Sequence, residues 1–393
     1  MASMLVFLPV AIFCQHQTKL ISFDFFGDSI TLTAPLPANT SSKPAFSEEQ
    51  VNNYFADILS ADYQPLVDAL LQYRKQYKLD DWLYYQLIRR TVQQVSPKQE
   101  NYERYTVYKW FLLVKSGYGA TLKISRTKLL FYVQTDEQIF ELPYYEKNGQ
   151  QYVCLNYHDY KPIDFITERF KELSMLQEEV KKSFTYKVQQ LPHFNSADYI
   201  EKDIQFNYYN QEYHFKVKLN PQIKTIFANY PVVDYASYFN IPVSNETYQS
   251  LIPLLKDNIR GMKVKAGVDF LMRFTRYAFL FEPDSKVFGQ ERRLTPEQTL
   301  LYDQSDCEDR SALFFFLVKE IYNLPMIVLS FPKHITVAVK FDKAVGKSIR
   351  YNNANYTVCE PTPQGLLDLP IGQLPPAVQN ERYEVVYSYN PKK

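Results

Sequence analysis

The chain has 393 residues, with 44 Lys and Arg against 43 Asp and Glu, for a net charge of +1. Hydrophobic residues make up 46% and charged residues 22%, the balance of a globular chain with apolar material for two or three cores. With no basic block and almost no net charge, nothing draws it electrostatically to nucleic acid or an anionic membrane surface, and nucleic acid is not expected as a partner.

In chain order, the first feature is the apolar run Met4–Cys14, followed by Gln15-His16-Gln17. It falls short of the ~20 residues that span a bilayer and suits the core of an export signal. Residues 1–17 are therefore expected to be a cleaved signal peptide, and the mature protein to be periplasmic or extracellular, with no integral membrane segment. Cleavage just after Cys14 leaves Cys154, Cys307 and Cys359, an odd count that flags a free thiol and argues against a disulfide scaffold. Cys154 and Cys359 lie in apolar strand-like runs and read as buried small hydrophobes. The 33 Tyr and 28 Phe read mainly as aromatic-rich strands and helix faces of a core.

Further along, one plan is used twice. Phe23–Leu32 and Ile204–Val217 each read as two short strands around a tight turn. Tyr54-Phe55 corresponds to Tyr238-Phe239, the helical stretch Leu66–Tyr73 to Leu251–Ile259, and the helix Trp82–Val95 to Gly267–Phe281. Phe111–Lys115 and Phe316–Lys319 both end a helical run, and strands follow at Leu129–Val133 and Ile335–Val339. The offset is 204 at Lys115/Lys319 and 205 at both Ser125/Ser330 and Cys154/Cys359, a constancy that favours duplication over chance. The expected fold class is α+β, in two similar units over 18–162 and 201–393. Between them, 163–200 is expected to be a helical linker, on the period of Phe165, Phe170, Leu173, Leu176 and Val180.

The chemistry gathers in the second unit. Ser305 or Asp306 can cap a helix that begins near Cys307 and ends before Leu324-Pro325. A sulfur in that first turn faces unsatisfied N–H groups and the positive end of the helix dipole, which favour a thiolate and can stabilise an oxyanion. Glu308 and Asp309 oppose the thiolate by like charge, so an imidazolium is needed nearby. His334, at the mouth of the strand Ile335–Val339, can act as general base. Glu360, at the end of the next strand, can orient that imidazole. By the same offset Glu103 stands where Cys307 is, Lys128 or Leu129 near His334, and Leu155 at Glu360, so the first unit should be catalytically inert. Tyr277, Tyr302 and Gln304 are neighbours of interest. No zinc-type spacing joins His158, His193 and His214, and there is no Gly-rich phosphate loop or serine elbow, so no metal or cofactor is indicated.

Asp306-Cys307-Glu308-Asp309-Arg310 ahead of a long apolar helix, then Pro332-Lys333-His334 before a strand, then Glu360-Pro361-Thr362, resembles the transglutaminase-like superfamily of papain-like cysteine nucleophiles. In particular it resembles the tandem, exported forms found in Bacteroidetes-type bacteria. The resemblance is specific over about 263–376 and weaker elsewhere. It implies two tandem units, each with helices packed on an antiparallel sheet, with Cys307 as nucleophile and His334 as base. Glu360 takes the place of the family's usual Asp before Pro-Thr and is one methylene longer.

The function implied is that of an exported thiol enzyme acting on peptide or protein amides through a Cys307 thioester. Water would resolve it in a cysteine protease or amidase, an amine in an acyltransferase, and hydrolysis of peptide bonds is the favoured outcome. The alternative is a non-catalytic binding or scaffold protein derived from the same fold.

Overall fold

The computed structural model describes residues 17–37, 46–173, 182–287, 289 and 291–391. The expected leader, with Cys14, lies outside them except for Gln17. Strands β1 (Thr18–Phe25) and β2 (Asp28–Pro35) form an antiparallel hairpin closed by Phe26 and Gly27, both with positive φ, 55° and 107°. Two positive-φ residues match the right-handed twist of the strands, and Gly supplies the second at no steric cost.

Helices α1 (Glu48–Ser60), α2 (Gln64–Tyr77), α3 (Asp81–Val95) and α4 (Tyr102–Lys115) follow, three of them capped by side chains: Ser47, Asp80 and Asn101. Then come β3 (Ala120–Ile124), β4 (Leu129–Thr135), the short β5 (Ile139–Phe140), β6 (Tyr144–Lys147), β7 (Gln150–Cys154) and β8 (Lys171–Leu173). Five of these strands make an antiparallel sheet in the order β6-β7-β4-β3-β8.

The second half begins with another hairpin, β9 (Ile200–Tyr208) and β10 (Gln211–Leu219), then α5 (Gln222–Ile226), β11 (Val232–Val233) and α6 (Tyr235–Tyr238). Helices α7 (Asn245–Asn258) and α8 (Val264–Tyr277) precede β12 (Leu280–Phe281), α9 (Asp284–Val287), α10 (Pro296–Leu301) and β13 (Gln304–Ser305). Helix α11 (Cys307–Tyr322) leads into β14 (Met326–Phe331), β15 (His334–Val339), β16 (Ser348–Tyr351), β17 (Ala354–Cys359) and β18 (Glu384–Tyr389). The resulting antiparallel sheet has the order β16-β17-β15-β14-β18, strand for strand that of the first half. The architecture is thus mixed α+β, with two antiparallel sheets, helices against them, and a hairpin at the head of each half.

Helices α4 and α11 are the central helices of their halves. The run Leu313-Phe314-Phe315-Phe316-Leu317-Val318 is apolar on every side, and a helix of that kind must be enclosed; all six residues are buried. Cys154 and Cys359 are buried free thiols, in keeping with their apolar surroundings. One apolar core runs through both halves. They are also joined by polar contacts: the Trp82 indole donates to the Ile226 carbonyl at 3.0 Å, and β5 pairs with β11.

Over the described residues the expectation of a helical linker is corrected; Leu176 and Val180 lie outside them. Among the described residues of 163–200 there is no α-helix; Lys171–Leu173 is an edge strand on β3, and Phe184, Tyr186 and Val188 are buried at alternate positions. That two-residue period is the signature of extended chain laid on a core, so the aromatic residues serve packing across the first half rather than one face of a helix. Among the described residues no helix is long and apolar enough to cross a membrane.

Candidate active site

Cys307 is the first residue of α11, and its position is fixed from both sides. The Asp306 carboxylate accepts the Asp309 N–H and the Asp309 carboxylate accepts the Asp306 N–H, each at 3.3 Å, closing a reciprocal cap. Arg310, fully buried, donates to the carbonyls of Thr275, Arg276 and Phe279 at 3.2, 2.6 and 2.8 Å. These are acceptors at the end of α8 that its own helix cannot satisfy, so one guanidinium locks the start of α11 against the end of α8. One turn past the cysteine, Ser311 Oγ donates to the Ile335 carbonyl at 3.2 Å and ties α11 to β15.

His334 opens β15, paired with Phe331 across the Pro332-Lys333 turn. Its Nε2 lies 2.7 Å from Oε2 of Glu360, which follows β17 and is wholly buried. The other carboxylate oxygen, Oε1, accepts the Thr362 N–H at 2.8 Å. The Glu360 carbonyl is held in turn by Arg276, whose Nε donates to it at 3.1 Å while Nη1 reaches Asp368 and the Leu369 carbonyl at 3.1 and 2.9 Å. Arg273 bridges Asp269 and Asp368 beside it. A buried two-arginine clamp therefore sets the turn that carries the carboxylate. Burial opposes charge on the His334 ring, but the hydrogen bond and charge of Glu360, with Glu308 beyond, outweigh it and raise the pKa.

Cys307 and His334 line the same cavity of about 590 Å³. The backbone N–H of Ile335, the residue after His334, favours charge on the sulfur. The three residues singled out in the sequence thus converge: Glu360 on His334, and His334 with Cys307 at one cavity.

The thiol itself differs from expectation. Cys307 Sγ is 2.9 Å from Glu308 Oε2, to which it donates. Burial, then the charges of Glu308 and Asp306, push the thiol far up, and the Ile335 N–H only partly offsets them. The favourable end of the helix dipole is outweighed, and the resting site holds a neutral thiol. The opposition from Asp309 expected in sequence falls instead to Asp306, because Asp309 is turned to Asp306 and to the Leu294 N–H, 2.7 Å away.

Sequence reasoning missed Glu308 as the sulfur's partner, the Arg276–Asp368 clamp, and Tyr235. Burial raises the Tyr235 pKa, and the charges of Glu308 and Cys307 add to it. Of the suggested neighbours, Tyr277 bonds to Asp368 at 2.8 Å, Tyr302 lies under Lys224, and Gln304 belongs to β13; none lines the cavity. Among the described residues two groupings, Asp284, Asp306 and Asp309, and Glu291, Asp306 and Glu308, have carboxylate oxygens within 4.8 Å of one another. Asp306 and Asp309 cap each other, Asp284 accepts the Arg292 N–H at 2.7 Å and Glu308 accepts the Cys307 thiol at 2.9 Å, so these four carboxylates already have partners.

The first half is built otherwise at the same place. Aligned on the caps Asn101 and Asp306, Tyr102 rather than Glu103 stands where Cys307 does. Its hydroxyl donates to Asp159 at 2.7 Å and accepts from Asn156 at 2.8 Å, and Lys98 pairs with Asp159 at 2.6 Å. Static hydrogen bonds join helix start to strand end where the second half places a thiol, an imidazole and a carboxylate.

No protein-family model matches the chain, and no curated protein matches it.

Proposed function

We propose that the chain is a tandem transglutaminase-like protein whose second half is an exported thiol enzyme acting on peptide or protein amides. The observation that carries this reading is the 2.7 Å bond between His334 and a fully buried Glu360, at a cavity that Cys307 shares. With Nε2 engaged by Glu360, Nδ1 is the ring nitrogen left for the thiol. Rotation about Cα–Cβ takes the sulfur from Glu308 toward it. Sγ then attacks the amide carbonyl as its proton passes to Nδ1, and Glu360 stabilises the imidazolium. Of the first-turn N–H groups of α11, that of Asp309 is taken by the Asp306 cap, which leaves those of Cys307 and Glu308 for the developing oxyanion. The C–N bond breaks, the imidazolium returns its proton to the leaving amine, and a thioester remains. Water, activated by the same ring, hydrolyses it and restores the thiol.

The first half, without these groups, serves as a folding partner sharing the core. The export reading rests on the apolar run Met4–Cys14.

A non-catalytic scaffold is the second reading, favoured by the Cys307–Glu308 hydrogen bond, which keeps the thiol neutral. Cleavage of a quenched-fluorescence peptide library separates the two. Turnover by the wild type that is lost in both Cys307→Ala and His334→Ala supports the enzyme; no turnover by any form supports the scaffold.

A further inference from the structure

We propose that the cavity beside Cys307 is a subsite for an apolar side chain of the acyl-donor peptide, with Phe281 and Leu366 as its lips. This rests on the thiol-enzyme reading. The volume of about 590 Å³ falls within the roughly 300–1,000 Å³ of sites that enclose small ligands. Pro332, Pro363, Pro375 and Val378 form much of its wall. Prolines carry no N–H, and although Lys333, Gln364 and Glu381 also line the cavity, Lys333 and Glu381 are solvent-exposed and keep their water, so a charged side chain set against the proline wall would lose its water without replacement.

The mouth is apolar as well. Phe281 lines the cavity and is 47% exposed, next to Leu280 at 65%. A tight turn closed by the Gln364–Leu367 bridge presents Gly365, which lines the cavity, and next to it in the chain Leu366, which is fully exposed. Single exposed apolar residues are ordinary on a protein surface; here one of them lines a cavity and another sits beside its lining in the chain, which marks a binding surface. A second, independent observation points to a peptide. Thr362 lines the cavity and is 3% exposed, and its hydroxyl has no hydrogen-bond partner among the described residues. Buried hydroxyls are rarely left so, and a peptide N–H or C=O of the occupant would satisfy this one.

The test uses the full-length protein and acetyl-dipeptidyl chloromethyl ketones that differ only in the side chain next to the reactive group: Leu, Phe, Gly, Asp or Lys. The readout is the rate of mass gain at Cys307, divided by the iodoacetamide rate of the same variant. Leu and Phe should label about tenfold faster than Asp or Lys, the discrimination an apolar pocket supplies. Phe281→Ala and Leu366→Ser, both at surface positions, should each shrink that ratio. His334-dependent iodoacetamide labelling with no side-chain preference overturns the subsite and leaves the thiol-enzyme reading standing. Absence of any His334-dependent reaction at Cys307 overturns both.

Discussion

His334 Nε2 and Glu360 Oε2 are 2.7 Å apart, although 26 positions separate the residues in the chain. The carboxylate is fully buried, so water cannot take its place. Glu360→Gln keeps the shape and removes the charge, and kcat/KM should fall by roughly 10²–10⁴. The His334 pKa should fall too, since the carboxylate raises it against the effect of burial. An NMR titration of the imidazole checks the sign. Glu360→Asp, one methylene short of the ring, should also lose activity, because the Arg276 clamp fixes the backbone and cannot follow.

Burial, and after it the charge of Glu308, pushes the Cys307 thiol up. Replacing Glu308 by Gln removes the charge nearest the sulfur and should lower the thiol pKa, so iodoacetamide labelling of Cys307 at pH 7 should rise by about tenfold or more, the effect of one pKa unit. The wild type should instead gain reactivity steadily as pH is raised. Equal rates in the two forms would mean that burial alone governs the sulfur.

The carboxyls near the α11 cap link stability to pH. Burial, followed by like charges, raises Asp306 to about 8. Burial, helped by Glu291 and Glu308 against the Arg292 N–H, raises Asp284 to about 7. Their unfolded values lie near 3.9, so folding takes up protons. The stability this contributes is complete below about pH 4 and is lost as pH rises through the folded values. Asp284→Asn keeps an acceptor for the Arg292 N–H without the charge, and should gain on the wild type between pH 5 and pH 8. Urea unfolding at several pH values measures the difference; one that stays constant across the range goes against it.

In the first half, Tyr102→Phe removes the hydroxyl between Asp159 and Asn156. The expected cost is about 1–3 kcal/mol of stability, that of leaving buried partners unmade, with no change in peptide turnover. Calorimetry and a kinetic assay on the same sample decide it; loss of turnover without loss of stability would give the first half a part in the chemistry.

The sequence made the local features legible. The Asp306 cap, the all-round apolar helix after it, the buried run Ile335–Val339 and the Gly27 turn each follow from residues adjacent in the chain. The repeat was legible because its offset stays nearly constant. What sequence did not show depends on contacts made at long range. Arg276 and Asp368 are 92 positions apart, and β18 returns to pair with β14 after a long excursion with no strand-like alternation to announce it. The segment 163–188 has apolar residues at spacings that fit a helix, yet its described residues 182–188 run extended on the core, which residue spacing alone does not encode. The choice of Glu308 over His334 as the sulfur's partner is a matter of side-chain rotation, which residue order does not encode.

The central claim is that Cys307 attacks an amide with His334 as its base. Intact-protein mass spectrometry after rapid mixing with a peptide amide and acid quench tests it most directly. A mass gain equal to the acyl group, mapped to Cys307 and absent in Cys307→Ala and His334→Ala, is the expected result. An adduct that forms equally well in His334→Ala, or maps to another residue, would contradict it.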